Sequence, residues 1–122
     1  MVSFRIHVGN FTIDKGRFEA WAGEERIDLT FVEFELLHIL ARNAGKVVPR
    51  PRLVLSVWNE QSHGDDRKLT VHLSRLRKKL RASGSEWQIE TVKKRGYMFA
   101  PPAGHARGEL QPRLDPAGSG RT

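Results

Sequence analysis

The stretch DRKLTVHLSRLRKKLR, residues 66–81, has the pattern of one helix with two different faces. Four leucines recur at i, i+4, i+7 and i+11, a spacing that the 3.6-residue turn of a helix gathers on one side. These leucines are Leu69, Leu73, Leu76 and Leu80. The spacing therefore predicts a helix that packs this side into the protein core.

The opposite side of the predicted helix is crowded with cations. Near its centre, at about 100° per residue, lie Arg67, Val71, Ser74 and Lys78, flanked by Thr70, Arg75, Arg77 and Arg81. Within the segment only Asp66 carries the opposite charge. Like charges at helical neighbour spacing destabilise an isolated helix, so this face favours a polyanionic partner. We interpret the segment as a DNA-recognition helix; a basic face that contacts only solvent is the alternative.

The composition excludes several classes of protein. The chain has 122 residues, of which 39% are hydrophobic and 29% charged, as expected for one small globular domain. No apolar run approaches the roughly 20 residues of a membrane helix, and the N-terminus lacks a secretory pattern. We therefore expect a cytoplasmic, nucleoid-associated protein without a membrane partner. The chain has no cysteine, which excludes disulfides and thiolate metal ligands.

The positive charge is concentrated in one part of the chain. Residues 1–45 carry five Lys/Arg and seven Asp/Glu (−2), residues 46–100 carry thirteen and five (+8), and residues 101–122 carry three and two (+1). A basic half of this kind attracts a polyphosphate backbone or an anionic membrane surface. No basic amphipathic segment carries Trp or Phe on its apolar face, so nucleic acid is the favoured partner.

The flanking segments predict the rest of the fold. Four short runs, FRIHV, FTI, RFEAW and RIDL, lie between turn residues and predict an antiparallel sheet over residues 4–29. Thr30 and Glu33 form a capping-box pattern for a first helix, which ends near Gly45. A second helix is expected from about Pro51 to Trp58.

Two further features complete the organisation. The runs WQIETV and YMF predict two strands joined through residues 93–96, a hairpin tip with three cations. The order of elements predicts an α+β fold, a winged helix-turn-helix with an N-terminal antiparallel sheet, three helices and a C-terminal β-hairpin wing. This domain covers residues 1–100, and residues 101–122 are predicted to be a disordered Pro/Gly-rich tail.

Four segments resemble a known family. IDLTFVEFELLHIL, GKVVPRPRLVLSVW, DDRKLTVHLSRLRKKL and IETVKKRGYMF resemble successive parts of the C-terminal effector domain of OmpR/PhoB-type bacterial transcription regulators. The resemblance covers roughly residues 4–100. It implies binding to promoter DNA, often as head-to-tail pairs on direct repeats, and therefore a homodimer on DNA. The family usually carries an N-terminal receiver domain, so the sequence is expected to be a free-standing regulator or a piece of a longer one; the initial Met favours the first.

The resemblance and the helix geometry together assign base contacts. Arg75 matches the family's base-reading arginine, and a guanidinium fork suits the O6/N7 edge of guanine. Val71 lies near the centre of the polar face, where it would contact a thymine methyl group. Ser74 completes the predicted set, although the family often has a cation at this position.

Other residues match the family's DNA-backbone contacts. These are Arg67, His72, Arg77, Trp58, Thr91 and Tyr97, and Lys78 joins the predicted set from its place on the basic face of the helix. For Trp58 and Tyr97 the alternative is core packing with a satisfied polar tip. His72 lies closer to the leucine side than to the centre of the cations, so both interpretations stay open.

The hairpin tip is the predicted minor-groove reader. Lys93 matches a residue that is usually arginine, and Arg95 is a second candidate. Lys94 stands where glycine is frequent, so the turn is expected to differ. Pro49 replaces the usual Ser/Thr cap of the second helix. The loop Asn59–Gly64 corresponds to the segment through which such proteins contact RNA polymerase.

The sequence gives little support for catalysis. His63, Asp65 and Asp66 are the only cluster that suggests a metal site, and aspartates before a basic helix are more often caps. We therefore expect no enzyme activity, no metal and no cofactor. The alternative function is a winged-helix protein-interaction module that docks on RNA polymerase or another regulator.

Overall fold

Two sheets and three helices make up the residues that the structure describes. This computed structural model describes residues 4–59, 67–102 and 113–116. The helices are α1 (Phe31–Arg42), α2 (Arg50–Trp58) and α3 (Arg67–Ala82). The strands are β1 (Phe4–Val8), β2 (Phe11–Asp14), β3 (Glu19–Ala22), β4 (Glu25–Ile27), β5 (Val47–Val48), β6 (Gln88–Val92), β7 (Gly96–Ala100) and β8 (Arg113–Pro116). The α+β order predicted from the sequence is therefore present.

The N-terminal sheet is antiparallel, with strand order β4-β3-β2-β1-β8. Its register aligns one buried apolar residue from each of four neighbouring strands. This row is Ile6, Ile13, Ala20 and Ile27. Because side chains alternate along a strand, the row gives the sheet one apolar face. The face packs against α1, and its residues belong to the hydrophobic core of the part of the chain that the structure describes.

The turn between β2 and β3 is longer than the sequence predicted. The predicted strand RFEAW starts at Glu19, and its first two residues belong to the turn. Phe18 adopts a left-handed φ of 54°. Its ring stacks on Phe34 at 4.4 Å and on Phe31 at 5.4 Å between ring centroids. Aromatic packing against α1 thus takes precedence over the strand tendency of this residue.

The C-terminal segment differs from the predicted disordered tail. Arg113–Pro116 form β8, which pairs antiparallel with β1 and adds a fifth strand to the sheet. Phe4 is aligned with Pro116 and Ile6 with Leu114. The prediction was therefore wrong for these four residues, because strand pairing with a distant edge leaves little local sequence signal. The other residues from 103 onward lie outside the described ranges.

The N-cap residues of α1 and α2 explain where these two helices begin. Thr30 and Glu33 form the predicted capping box of α1, with Glu33 N–H donating to Thr30 Oγ1 and Thr30 N–H to Glu33 Oε1. Pro49 is the N-cap of α2 without a side-chain hydrogen bond, as its chemistry requires. This helix starts at Arg50, one residue before the predicted start, because Pro51 is tolerated in the first turn.

The four leucines of α3 are buried, with at most 1% of their surface exposed. Burying one leucine side chain contributes about 1.5–3 kcal/mol, so this stripe holds α3 firmly against the core. The second sheet has the order β5-β7-β6, and Phe99 of β7 packs edge-on against Phe11 of β2 at 5.3 Å. This contact joins the two sheets, and α3 lies beside the β6–β7 hairpin.

Candidate nucleic-acid interface

The outward face of α3 is exposed and basic, as predicted from the period. Its exposed residues are Arg67, Lys68, Thr70, Val71, Ser74, Arg75, Lys78 and Arg81. The structure therefore brings together the three predicted base contacts, Arg75, Val71 and Ser74, on one accessible surface. Val71 is 45% exposed, an apolar residue among cations. Lys68 belongs to this surface too, and the prediction missed it although its position in the helix placed it there.

Trp58 and His72 pack against each other between α2 and α3. Their ring centroids lie 5.7 Å apart, and Lys68 Nζ lies 4.9 Å from the centroid of the Trp58 ring. Both rings are half-buried, and Nδ1 of His72 is buried without a hydrogen-bond partner. The packing alternative is therefore part of the structure for both residues. A cation above an indole keeps a positive charge at this end of the interface.

The wing tip presents its three cations to solvent. Lys93, Lys94 and Arg95 are exposed and form the turn between β6 and β7. Arg95 N–H donates to the carbonyl of Val92 at 2.9 Å, which closes the turn. Lys94 adopts a left-handed φ of 65°. Glycine, which the family resemblance leads us to expect at this position, adopts this conformation without strain.

Gly96 allows the wing to lie close to the start of α2. Its φ is 145°, and a Cβ atom at this position would overlap the carbonyl oxygen of Val48 and lie 2.9 Å from Cα of Pro49. Only glycine fits this close approach. A cleft of about 190 Å³ lies beside it, and its lining includes Arg50, Lys94 and Arg95. Arg50 is a cation of this region that the prediction missed, because its place near the wing depends on the tertiary fold.

Three of the predicted backbone contacts bind one another. Arg77 donates from Nε to the carbonyl of Ile89 at 2.9 Å and from Nη2 to Thr91 Oγ1 at 2.7 Å. Its guanidinium carbon lies 5.7 Å from the centroid of the Tyr97 ring. Tyr97 is 4% exposed, so the packing alternative applies to it. The side chain of Arg77 thus connects α3 to both strands of the wing.

A partly buried ion pair fixes the other side of α3. Lys79 Nζ lies 2.6 Å from Glu33 Oε1, and only 1% of the Glu33 side chain is exposed. Burial raises the pKa of Glu33, but hydrogen bonds from Lys79 and Thr30 and the charge of Lys79 outweigh it, so this pKa lies below its ordinary value of 4.5. Glu33 is therefore ionised at neutral pH and ties α3 to α1.

The loop before α3 and the residues that suggested a metal site lie mostly outside the residues that the structure describes. Except for Asn59, the loop Asn59–Gly64 falls outside the described residues, as do His63, Asp65 and Asp66. Across residues 4–59 and 67–102, no group of three or more His, Asp or Glu side chains is arranged to hold a metal ion. Nor does this part of the chain contain a helix that is long and apolar enough to cross a membrane.

Comparison with known proteins decides the family. Residues 23–99 match the profile described as transcriptional regulatory protein, C terminal. The chain belongs to this family. The resemblance to OmpR/PhoB-type effector domains is thereby confirmed, and so is the winged-helix fold. Because this is a family of transcription regulators, the expectation that the chain is not an enzyme is also confirmed.

Individual relatives show the extent of the similarity. RstA of Escherichia coli is 38% identical over 99 residues, and PhoB of Escherichia coli is 33% identical over 95. These matches cover 80% and 78% of this chain, which spans only 41% and 42% of the two relatives. The DNA-binding domain of Klebsiella pneumoniae RstA, solved in complex with the RstA box, superposes with a TM-score of 0.72 at 36% identity. That match covers 80% of this chain and 97% of the solved domain.

Proposed function

We propose that the chain is a sequence-specific double-stranded DNA-binding transcriptional regulator, with α3 in the major groove and the wing, residues 93–96, in a neighbouring minor groove. The observation that carries this proposal is the division of α3 into a fully buried leucine face and an exposed basic face. An exposed Val71 in the middle of that face has no role in water but suits a thymine methyl group. The related RstA domain was solved with its DNA box, which supports the same mode here.

The predicted contact residues have roles that fit their chemistry. Arg75 reads a guanine through its guanidinium fork, and Val71 and Ser74 contact neighbouring bases. Arg67 and Lys78 pair with phosphate oxygens, which positions α3 without reading sequence. The proposed phosphate contacts also include Trp58, at the C-terminal end of α2, and His72 of α3, whose rings pack on each other. Lys93, Lys94 and Arg95 enter the minor groove, where a narrow A·T-rich segment has the deepest negative potential.

The proposed partners follow from the size of the module. One winged-helix domain buries about 600–1,000 Å² on DNA, which gives modest affinity. Two copies bound to direct repeats of a promoter, as a homodimer on DNA, would raise the affinity. RNA polymerase is a further proposed partner, through the loop 59–64. A cytoplasmic, nucleoid-associated location belongs to the same proposal.

A selection experiment tests the proposal. Wild type, Arg75→Ala and the control Arg17→Ala select duplexes from a random pool at near-physiological salt. Arg17 is exposed in the turn between β2 and β3 and lines a cleft with residues of β1, β2 and β3, so its loss removes one charge outside the proposed interface. We expect one enriched motif for wild type and control, and loss of preference at one base pair for Arg75→Ala. That loss corresponds to about 1–3 kcal/mol of discrimination.

The salt dependence gives a second readout. If six to eight phosphates are neutralised, log affinity falls with log salt at a slope of about −5 to −7. No enriched motif together with a flat salt response would refute DNA recognition. That result would favour the alternative, a protein-interaction module that docks on RNA polymerase or another regulator.

A further inference from the structure

Arg77 differs from the other cations of α3 in where its side chain goes. Arg75, Lys78 and Arg81 are exposed, whereas Arg77 is only half-exposed and lies at the side of α3 that faces the wing. Its Nε donates to the carbonyl of Ile89, and its Nη2 to the hydroxyl of Thr91. Both acceptors are in β6, two residues apart on the same strand. A planar fork with donors in fixed directions is the side chain that can hold both acceptors at once.

The guanidinium of Arg77 also contacts the second strand of the wing. It lies over the ring of Tyr97, which belongs to β7 and is aligned with Thr91 in the β6–β7 register. The guanidinium carbon of Arg50, from α2, lies 5.8 Å from the centroid of the same ring. One buried tyrosine thus receives a cation from each of two helices. Rotation of the hairpin against α3 would break both hydrogen bonds of Arg77 and its contact with this ring.

We propose that Arg77 is a positioning residue, which fixes the wing relative to α3 and thereby sets the spacing between the major-groove and minor-groove contacts. This inference rests on the proposed function for its consequence on DNA, but the internal contact is a property of the free protein. It assigns Arg77 a different role from the phosphate contact that the sequence predicts. Thr91 and Tyr97 then act as the acceptors and packing partners of Arg77.

Hydrogen exchange in the protein without DNA tests the internal contact. Arg77→Lys keeps the charge but replaces the two-donor fork by a point charge, so the amides of β6, β7 and the turn between them should exchange about tenfold faster. Thr91→Val removes the hydroxyl that accepts from Arg77 Nη2, so it should also accelerate the exchange of these amides, by a smaller factor. Arg75→Lys is the matched control, the same change at an exposed position of α3, and should leave these amides unchanged.

Binding to DNA tests the consequence. The probe is the duplex that wild type enriches in the selection above, and the readout is hydroxyl-radical protection of its minor groove. For Arg77→Lys we expect loss of the wing's minor-groove protection, with the base preference read by Arg75 retained. A phosphate contact would behave differently, since lysine supplies the same charge and would largely restore binding.

The outcomes separate the two proposals. Wild-type exchange rates in the wing of both Arg77→Lys and Thr91→Val would overturn the positioning role, whatever the chain does on DNA. Faster wing exchange with unchanged minor-groove protection would also overturn it, because the wing would then be placed by other contacts. If wild type enriches no duplex, the proposed function fails, while the exchange experiment still decides whether Arg77 holds the wing.

Discussion

Replacement of Lys79 by methionine removes the cation that neutralises Glu33 and preserves the length and apolar stem of the side chain. The carboxylate of Glu33 is 1% exposed and accepts hydrogen bonds from Lys79 Nζ at 2.6 Å and from Thr30 N–H at 2.9 Å. In Lys79→Met the carboxylate keeps its hydrogen bonding to Thr30 but loses its cation. A buried charge that loses its partner keeps its desolvation cost, so the folded state is destabilised.

The expected size follows from the exposure of the two partners. Loss of one partner of a fully buried pair costs about 3–5 kcal/mol, whereas exposed pairs contribute about 0.2–1 kcal/mol. Here the Lys79 side chain is 38% exposed, so water already screens one end of the pair. We therefore expect Lys79→Met to lower the free energy of unfolding by about 1–2 kcal/mol at neutral pH.

A double-mutant cycle measures this contribution by urea unfolding, followed by far-UV circular dichroism. The variants are Lys79→Met, Glu33→Gln and the combination of the two. Lys78→Met is the control, since Lys78 is exposed on the same helix and its loss should change stability by less than about 0.5 kcal/mol. Effects of Lys79→Met and Glu33→Gln that add to within about 0.3–0.5 kcal/mol would refute the argument that this pair joins α1 to α3.

The pH dependence of the same pair has a definite sign. The pKa of Glu33 is lowered below 4.5 in the folded chain, so the folded state binds fewer protons than the unfolded state near that pH. The contribution of the pair is fully present above pH 4.5 and is lost as the pH falls through the folded pKa. The difference between wild type and Lys79→Met should therefore shrink in acid and remain constant between pH 6 and 8.

Three further predictions concern the rest of the fold. Burial and nearby cations lower the pKa of His38 from 6.5 to about 4, so the unfolded chain takes up a proton below pH 6.5 before the folded chain does, and the free energy of unfolding falls. In urea unfolding, His38→Gln should reduce the loss of stability between pH 7 and pH 5 by about 1 kcal/mol. An unchanged loss in the variant would contradict this prediction. Gly96→Ala forces a Cβ atom against the Val48 carbonyl and should cost about 2 kcal/mol or more, whereas an unaltered urea midpoint would show that the wing adjusts freely. A chain that ends at Pro102 lacks β8, so hydrogen exchange of β1 amides should accelerate while α3 stays protected; unchanged exchange in β1 would argue against the fifth strand.

The best-predicted parts of this protein are those whose signals are local. The capping box of α1 needs only Thr30 and Glu33, three residues apart, and the structure contains both of its hydrogen bonds. The strands β1 and β2 were predicted to within one residue because turn residues bound them. The conformation of Phe18 was missed because it depends on the ring of Phe34 in α1. The strand β8 was missed because it depends on the free edge of β1, which is distant in sequence.

The candidate site shows the same division. The helix period alone predicts that Arg75 and Val71 are exposed. Whatever element α3 packs against, its leucine side is the side that becomes buried, and these two residues lie away from it. The partners of Arg77 lie 12 and 14 residues away, in a strand that the period cannot locate. The order of the residues alone places the cations on one side of α3 and the leucines on the other. Which of these cations face outward and which one contacts the wing depends on the elements that pack beside the helix, so the folded chain is needed to distinguish them.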